Sequence, residues 1–344
     1  MRRAICNHQQ TFMPQSRQLG RRTVLTALAC ALPAFLITPA MAASYPDRPI
    51  RLIVPYAPGG GPDVQTRRTA EALAREMNAN VVVENKVGAG GMLAGEYLFR
   101  AHADGYTLML GASTLVVQKI LQPSLSFDPV EDFTQIVRTG FSPQVLVVRS
   151  DSPYTDVKAL IEAAKTAKDP LNYGSGGIGS AAHLAGAAFA SNAGIKAVHI
   201  PYRGSVEIVP ALLRGDTAFA FPTASTALPH VTDGKVRALA VTSAKRSAQL
   251  PDVPTLNEIF GRTDLALDSW SGIWAPKGLP DDITAKLEKA FKAVYAQPDQ
   301  ADFYEKTGLV IDTTASPAAF KDFVRAETEK YARIIRDNDI KVDQ

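Results

Sequence analysis

A strand, a turn of three consecutive glycines and a helix start follow one another without a spacer in Ile50-Arg51-Leu52-Ile53-Val54-Pro55-Tyr56-Ala57-Pro58-Gly59-Gly60-Gly61-Pro62-Asp63. No other stretch restricts the fold as strongly. Glycine adopts backbone angles that a side chain forbids and lets a bound group approach the main chain. A helix opening at Pro62 or Asp63 adds unpaired N–H donors and a partial positive charge. The stretch is therefore either a small anion cradle or a tight strand-to-helix turn capped by Asp63. A Walker-type phosphate loop needs Gly-Lys-Ser/Thr at its end. Pro62-Asp63 stand there instead, and an acid beside phosphate is wrong by charge.

The same order then repeats. Ala70, Leu73, Ala74 and Met77 lie at helical spacing. Val81-Val82-Val83 reads as a short buried strand, and Gly88-Ala89-Gly90-Gly91 leads into a helix through Tyr97 and Phe99. Thr107-Leu108-Met109-Leu110 is a strand running into Gly111-Ala112-Ser113-Thr114. Gln144-Val145-Leu146-Val147-Val148 is the next strand, followed by a helix over 155–168. Leu171-Asn172-Tyr173 precedes the loop Gly174-Ser175-Gly176-Gly177-Ile178-Gly179-Ser180, and the helix behind it carries His183, Leu184 and Phe189. Ala197-Val198-His199-Ile200 opens onto Pro201-Tyr202-Arg203-Gly204, and a helix through Ile208, Leu212 and Leu213 ends at Gly215, where a C-cap favours glycine. Strands over 218–221 and 237–241 complete this half. Such alternation predicts parallel sheets with helices on both faces, and 344 residues predict two domains rather than one core.

The last part differs. Residues 267–276 are extended, with Trp270 and Trp274 on one face by the two-residue period, a pair that reads as core rather than as a ligand platform. Helices then begin at Pro280-Asp281 and at Ser316-Pro317, the latter with an N-cap serine and a first-turn proline. If this part returns to the first half, two crossings join two lobes and a cleft lies between them.

The N-terminus is an export signal. Arg21-Arg22 precede an apolar run over 24–37, and Ala40-Met41-Ala42 is a small-x-small cleavage site, so the leader is expected to be cut after Ala42. Arg-Arg-Thr-Val-Leu resembles a twin-arginine signal; the general secretory route stays open beside it. Cys30 does not make a lipoprotein anchor, because Ala27 stands where a leucine is expected. Both cysteines leave with the leader, so the mature chain has no disulfide. The leader also removes five basic residues and no acid, leaving 32 basic against 34 acidic. Such a balance gives no electrostatic case for nucleic acid.

Chemistry is hard to find in what remains. Gly174-x-Gly176-x-x-Gly179 matches the dinucleotide fingerprint in form, but the following strand ends in Pro201-Tyr202 where an acid should hold the ribose. Ser180 and His183 sit three apart on one helix without a Gly-x-Ser-x-Gly elbow or an acid partner. The mature histidines His102, His183, His199 and His230 show no metal-ligand spacing. Arg203 either clamps a carboxylate or pairs with Glu207 or Asp216. Four glycine-and-hydroxyl turns, at 57–63, 111–114, 174–180 and 202–205, follow the carboxyl ends of strands, which is where open α/β sheets bind ligands. Together they describe a binding site for an anion held by neutral dipoles, with no cofactor.

The motifs taken in order resemble one family. Tyr45-Pro46-Asp47-Arg48-Pro49-Ile50, Val54-Pro55-Tyr56-Ala57-Pro58-Gly59-Gly60, Val83-Glu84-Asn85-Lys86 with the 88–91 glycines, and Asp104-Gly105-Tyr106-Thr107 come first. Ile200-Pro201-Tyr202-Arg203-Gly204, Leu228-Pro229-His230 and Arg237-Ala238-Leu239-Ala240-Val241 follow. Over about 45–340 the chain resembles the Bug, or TctC-like, extracytoplasmic solute receptors of tripartite tricarboxylate transporters. The resemblance implies an α/β, two-lobed type II periplasmic-binding-protein fold with a hinge and an inter-lobe cleft, here divided into 43–143 plus 266–344 and 144–265. It implies a periplasmic, non-enzymatic receptor for a small organic carboxylate (a di- or tricarboxylate, an acidic amino acid or an aromatic acid). Its partners would be membrane transporter subunits or a sensor, and a monomer is expected. Carried over by motif, and joined by Gly60 and Thr114 from the same turns, the ligand-binding candidates are Tyr56, Ala57, Gly59, Asp63, Gly111, Ser113, Ser175, Gly176, Ser180, His183, Tyr202 and Arg203. Pro62 and Pro222 depart from the family pattern, where many relatives carry Thr or Ser and Asp respectively, and the ligand's distal contacts change with them. The rival reading is a secreted serine esterase using Ser180 and His183.

Overall fold

The computed structural model describes residues 45–341; the leader, its cleavage site and both cysteines lie outside them. The chain opens with β1 (Ile50–Val54), α1 (Gly61–Met77), β2 (Val81–Asn85), α2 (Met92–Phe99), β3 (Thr107–Ala112), α3 (Ser113–Leu121) and β4 (Phe133–Ser142). It continues with β5 (Val145–Arg149), α4 (Val157–Thr166), β6 (Leu171–Ser175), α5 (Ala181–Ala193), β7 (Ala197–Pro201), α6 (Ile208–Arg214), β8 (Phe219–Ala220), α7 (Ala224–Thr232), β9 (Val236–Val241) and α8 (Leu256–Phe260). It closes with β10 (Ser269–Pro276), α9 (Asp281–Tyr295), α10 (Pro298–Lys306), β11 (Val310–Ile311) and α11 (Pro317–Asp337).

These strands form two sheets, ordered β11-β4-β10-β3-β1-β2 and β7-β6-β8-β5-β9. The expected all-parallel sheets are mixed instead. β1 runs parallel to β2 and β3, but β10 lies antiparallel between β3 and β4, and β11 antiparallel to β4. In the second sheet β6 is parallel to β7 and β8, whereas β5 is antiparallel to β8 and β9. Apolar alternation reports which residues are buried, not strand direction. The 81–83 strand is also not buried. β2 is the last strand of its sheet, and Val82 is 40% exposed.

Both faces of the first sheet are covered, which is why β3, near its centre, is buried at every position and reads as a largely apolar run. Ile50, Leu52, Leu108 and Leu110 pack beneath Phe291 and Val294 of α9, while Ile53 and Met109 face the other way, toward Trp270, Trp274 and Phe320. The tryptophan pair is core, as expected, with ring centroids 6.3 Å apart. Gly111 belongs to this packing. It lies inside β3 rather than in a turn, and a methyl group there would come within 2.1 Å of the Trp274 ring. The second core gathers Val145, Val147, Phe189, Phe219, Phe221 and Leu239.

The chain crosses between sheets at 142–145 and returns over 242–269. Polar bonds tie the crossings together. The Gln144 N–H donates to Thr242 Oγ1 at 2.9 Å, and Gln144 Nε2 donates to Ser269 Oγ at 3.2 Å. Thr242 Oγ1 in turn donates to Asp268 Oδ1 at 2.8 Å. Burial pushes the Asp268 carboxyl up to about 6, against the pull of Thr242 and of the Lys330 ammonium; the Glu327 carboxylate adds to the rise.

Candidate functional site

At the carboxyl end of β1 the glycine turn is locked from beneath by Asp63. Its carboxylate accepts the Gly59 N–H at 2.8 Å, Asn85 Nδ2 at 2.7 Å and Arg67 Nε at 3.0 Å. Asn85 also donates to the Tyr56 carbonyl at 2.9 Å, tying the turn to β2. Burial alone would raise the Asp63 pKa, but these donors outweigh it and hold the carboxyl below its usual range. Asp63 is therefore committed to its own turn. The α1 start, with Gly60 at the N-cap, has no side-chain cap, so the Gly61 and Asp63 N–H groups stay among the unpaired donors of a first helical turn.

β3 delivers a second helix start. Ser113 and Thr114 open α3 directly, again without a side-chain cap, and Thr114 Oγ1 shares a hydrogen bond of 3.1 Å with the Tyr56 hydroxyl. Burial raises the Tyr56 pKa more than Thr114 lowers it, so the phenol stays neutral.

The third start follows β6. Ser180 caps α5 by accepting the His183 N–H at 3.3 Å. His183 Nδ1 accepts the Gly179 N–H at 3.1 Å, which leaves the proton of the neutral ring on Nε2. Nε2 has no acceptor among the described residues. The His183 ring stacks on His199 with centroids 3.7 Å apart and planes 6° off parallel, and His199 Nε2 lies 2.5 Å from Ser175 Oγ. Burial lowers both imidazoles, His183 to about 3 with a further push from His199, and His199 to about 4. Ser175 and Gly174 thus belong to the strand, where Ser175 is fully buried.

The esterase arrangement is not formed. Ser180 Oγ meets the main chain of His183, not its imidazole. Replacing Ser180 by alanine is expected to cost about 1 kcal/mol of stability through the lost cap and to weaken ligand binding. A denaturation curve and a titration check both, and loss of a measurable ester turnover in that variant would contradict the reading.

Three main-chain donors of the turn at 202–205 are occupied. The Tyr202 N–H donates to the Ser175 carbonyl at 2.9 Å, the Gly204 N–H to the Gly176 carbonyl at 3.2 Å, and the Arg203 N–H to Glu207 Oε2 at 3.1 Å. Gly176 is pressed against Gly204, 3.1 Å from where its methyl group would sit. The Arg203 side chain is exposed and has no ion pair among the described residues; Asp216 pairs with Arg214 instead. The fourth donor set comes from the start of α7, which the sequence reading missed. Thr223 Oγ1 lies 3.1 Å from Ser225 Oγ and 3.0 Å from Thr226 Oγ1. A hydroxyl-rich segment after Pro222 was the available signal.

The starts meet in two pairs across the lobes. A methyl group on Gly61 would sit 3.5 Å from Ser225 Oγ, joining the α1 and α7 starts. Ser113 and Ala181 line one narrow crevice with Leu184 and Leu267, joining the α3 and α5 starts. Buried Gln118 of α3 donates from Nε2 to the Ile178 carbonyl at 3.1 Å, latching α3 to the 174–180 loop. The donors at these starts are neutral main-chain N–H groups and hydroxyls. Ala57, Gly59 and Gly60 form the exposed to half-exposed rim of the first turn. No group of His, Cys, Asp and Glu among the described residues could hold a metal ion, and no described helix is long and apolar enough to cross a membrane.

Two mixed α/β lobes, two crossings and helix starts that meet in pairs across the gap define a periplasmic-type solute-binding protein. Residues 65–340 match the model of the tripartite tricarboxylate transporter family receptor, TctC. The chain is 31% identical to protein BugT of Bordetella pertussis over 325 residues, covering 92% of this chain and 99% of that one. Among solved structures, periplasmic binding protein BugD is 32% identical with a TM-score of 0.78, over 86% of this chain and 99% of its own. A Rhodopseudomonas palustris protein with adipate is 28% identical with a TM-score of 0.79, over 86% and 99% of the two chains. The chain belongs to the TctC receptor family, a family of periplasmic solute receptors rather than enzymes.

Proposed function

We propose that this receptor captures a small organic carboxylate between its lobes and delivers it to a tripartite tricarboxylate-type transporter or to a sensor. The observation that carries the reading is the meeting of neutral donor sets from both lobes, with Gly61 against Ser225 and Ser113 beside Ala181. Helix starts of this kind stabilise an anion without a formal countercharge, and the exclusion of water strengthens each contact. Two donor sets per lobe suit a ligand with an acid at each end, and the relative holding adipate supports a dicarboxylate. The contacts are assigned to the 57–61 main chain, Tyr56, Ser113, Thr114, Ser180 and His183, joined by Thr223 and Ser225. The lobes divide as 43–143 with 266–344 and 144–265, and the monomer works in the periplasm after cleavage at Ala42.

A thermal-shift panel of adipate, malate, citrate, glutamate and benzoate tests this on the mature protein. At a ligand concentration of about 100 times Kd, stability should rise by about 2.7 kcal/mol. No shift across the panel overturns the reading.

A further inference from the structure

A second cavity, of about 610 Å³, opens on the first lobe at the opposite end of its sheet. Its walls include Arg51 and Thr107, near the amino ends of β1 and β3, whereas the turns described above leave the carboxyl ends of those strands. Its volume lies within the range of small-molecule pockets.

The lining is chemically specific. Arg51 has no carboxylate partner among the described residues. Its Nη1 donates to the Tyr97 hydroxyl at 2.6 Å and its Nη2 to Thr107 Oγ1 at 3.2 Å, so two neutral oxygens hold the guanidinium in place. The other three of its five N–H groups have no acceptor among the described residues. Arg100, at the end of α2, adds a second guanidinium bound loosely to Glu96 at 3.3 Å, with 74% of its side chain exposed. Arg48 is neutralised by Asp104 at 2.6 Å and lies over the Tyr106 ring. One wall is apolar, formed by Pro49 and by Leu93, which is 54% exposed.

We propose that this cavity is a second binding site, for an organic monoanion with a planar carboxylate head and an apolar body. The fixed fork of Arg51 matches a carboxylate in two-point geometry, and Pro49 and Leu93 receive the body. Glu96 and Asp104 share the lining with three arginines, so the excess positive charge is small and a singly charged head is favoured over a phosphoryl dianion.

Titration of the isotope-labelled mature protein with benzoate, followed by amide NMR, tests the proposal. Saturable shifts are expected at Arg51, Leu93, Tyr97 and Arg100. Arg51→Gln should weaken them by about tenfold, and Arg100→Gln, on an exposed helix end that tolerates substitution, should weaken them measurably. Arg262→Gln, whose partner is Asp264 on the other lobe, should leave them unchanged. Phenylphosphonate should bind more weakly than benzoate, and benzyl alcohol should not produce the shifts. Absence of saturable shifts at these amides, or shifts indifferent to both arginine variants, overturns the site. Equal binding of phenylphosphonate or benzyl alcohol overturns the ligand class. Cleft binding of other acids is read at separate amides, so failure here leaves the receptor reading standing.

Discussion

Replacing Gly179 by alanine is expected to weaken ligand capture by about 10- to 100-fold. Gly179 has φ of +75°, and a methyl group there would lie 2.9 to 3.1 Å from Gln118, Val117 and Leu121, all on α3 of the other lobe. The left-handed backbone costs an alanine about 1–2 kcal/mol wherever the lobes stand. The side-chain contacts cost energy only while the lobes touch, so they oppose the arrangement that brings the donor sets together. Calorimetry should show the lost affinity, and solution scattering should show a more extended particle at saturating ligand. Gly105 supplies the control. It also has a left-handed φ, of +82°, and its methyl group would lie 2.7 Å from Ile283 and 2.8 Å from Tyr45, both within the first lobe, so Gly105→Ala should lower stability without the scattering change. Unaltered affinity in Gly179→Ala would mean that the Gln118 latch plays no part in capture.

Acid should destabilise this protein through the stacked histidines. An unfolded histidine titrates near 6.5, whereas burial holds His183 down to about 3 and His199 to about 4. Below pH 6.5 the unfolded chain binds protons that the folded chain refuses, so stability falls as pH falls, by about 1.4 kcal/mol per pH unit for each histidine. The fall continues until the folded rings themselves titrate, from about pH 4 downward. Asp268 works in the opposite sense. Its carboxyl is raised to about 6 by burial, so between the ordinary carboxylate value and pH 6 the folded chain holds the extra proton and gains from acid. The wild-type slope between pH 6.5 and 4 is the difference of these effects. Asp268→Asn should therefore raise stability at pH 7 and steepen the acid loss, while His199→Gln should flatten it. Urea midpoints at pH 7, 6, 5 and 4 read both changes. Identical midpoints in the wild type from pH 7 to pH 5 would rule the histidine account out.

Local patterns made much of this architecture legible. The glycine turn at 57–61, the helix C-cap at Gly215, the Ser316 cap and the tryptophan pair each announce themselves within a few residues of chain. What escaped the reading depends on contacts between distant segments. Asn85 reaches Asp63 across 22 positions, and Gln118 reaches Ile178 across 60. His199 meets Ser175 because β6 and β7 pair in register. β4 escaped for another reason: Thr134, Gln135, Arg138 and Thr139 interrupt its apolar pattern. Several of its polar groups find partners only in the assembled sheet, as Thr134 does on the Pro276 carbonyl and Thr139 on Ser271. Three N–H groups of the 202–205 turn are already taken, which a turn's composition does not reveal.

The placement of β10 between β3 and β4 also sets an order of assembly. All strands of the second sheet come from one continuous stretch, β5 to β9, so that sheet can close as soon as Val241 has emerged. The first sheet cannot. A nascent chain that stops before Ser269 carries β3 and β4 with facing edges and nothing to pair them. Open strand edges of that kind invite pairing between chains, and non-local pairings form slowly. The lobe whose sequence begins first is thus the lobe that finishes last, and the incomplete chain depends on being held apart from its copies until its C-terminal quarter arrives.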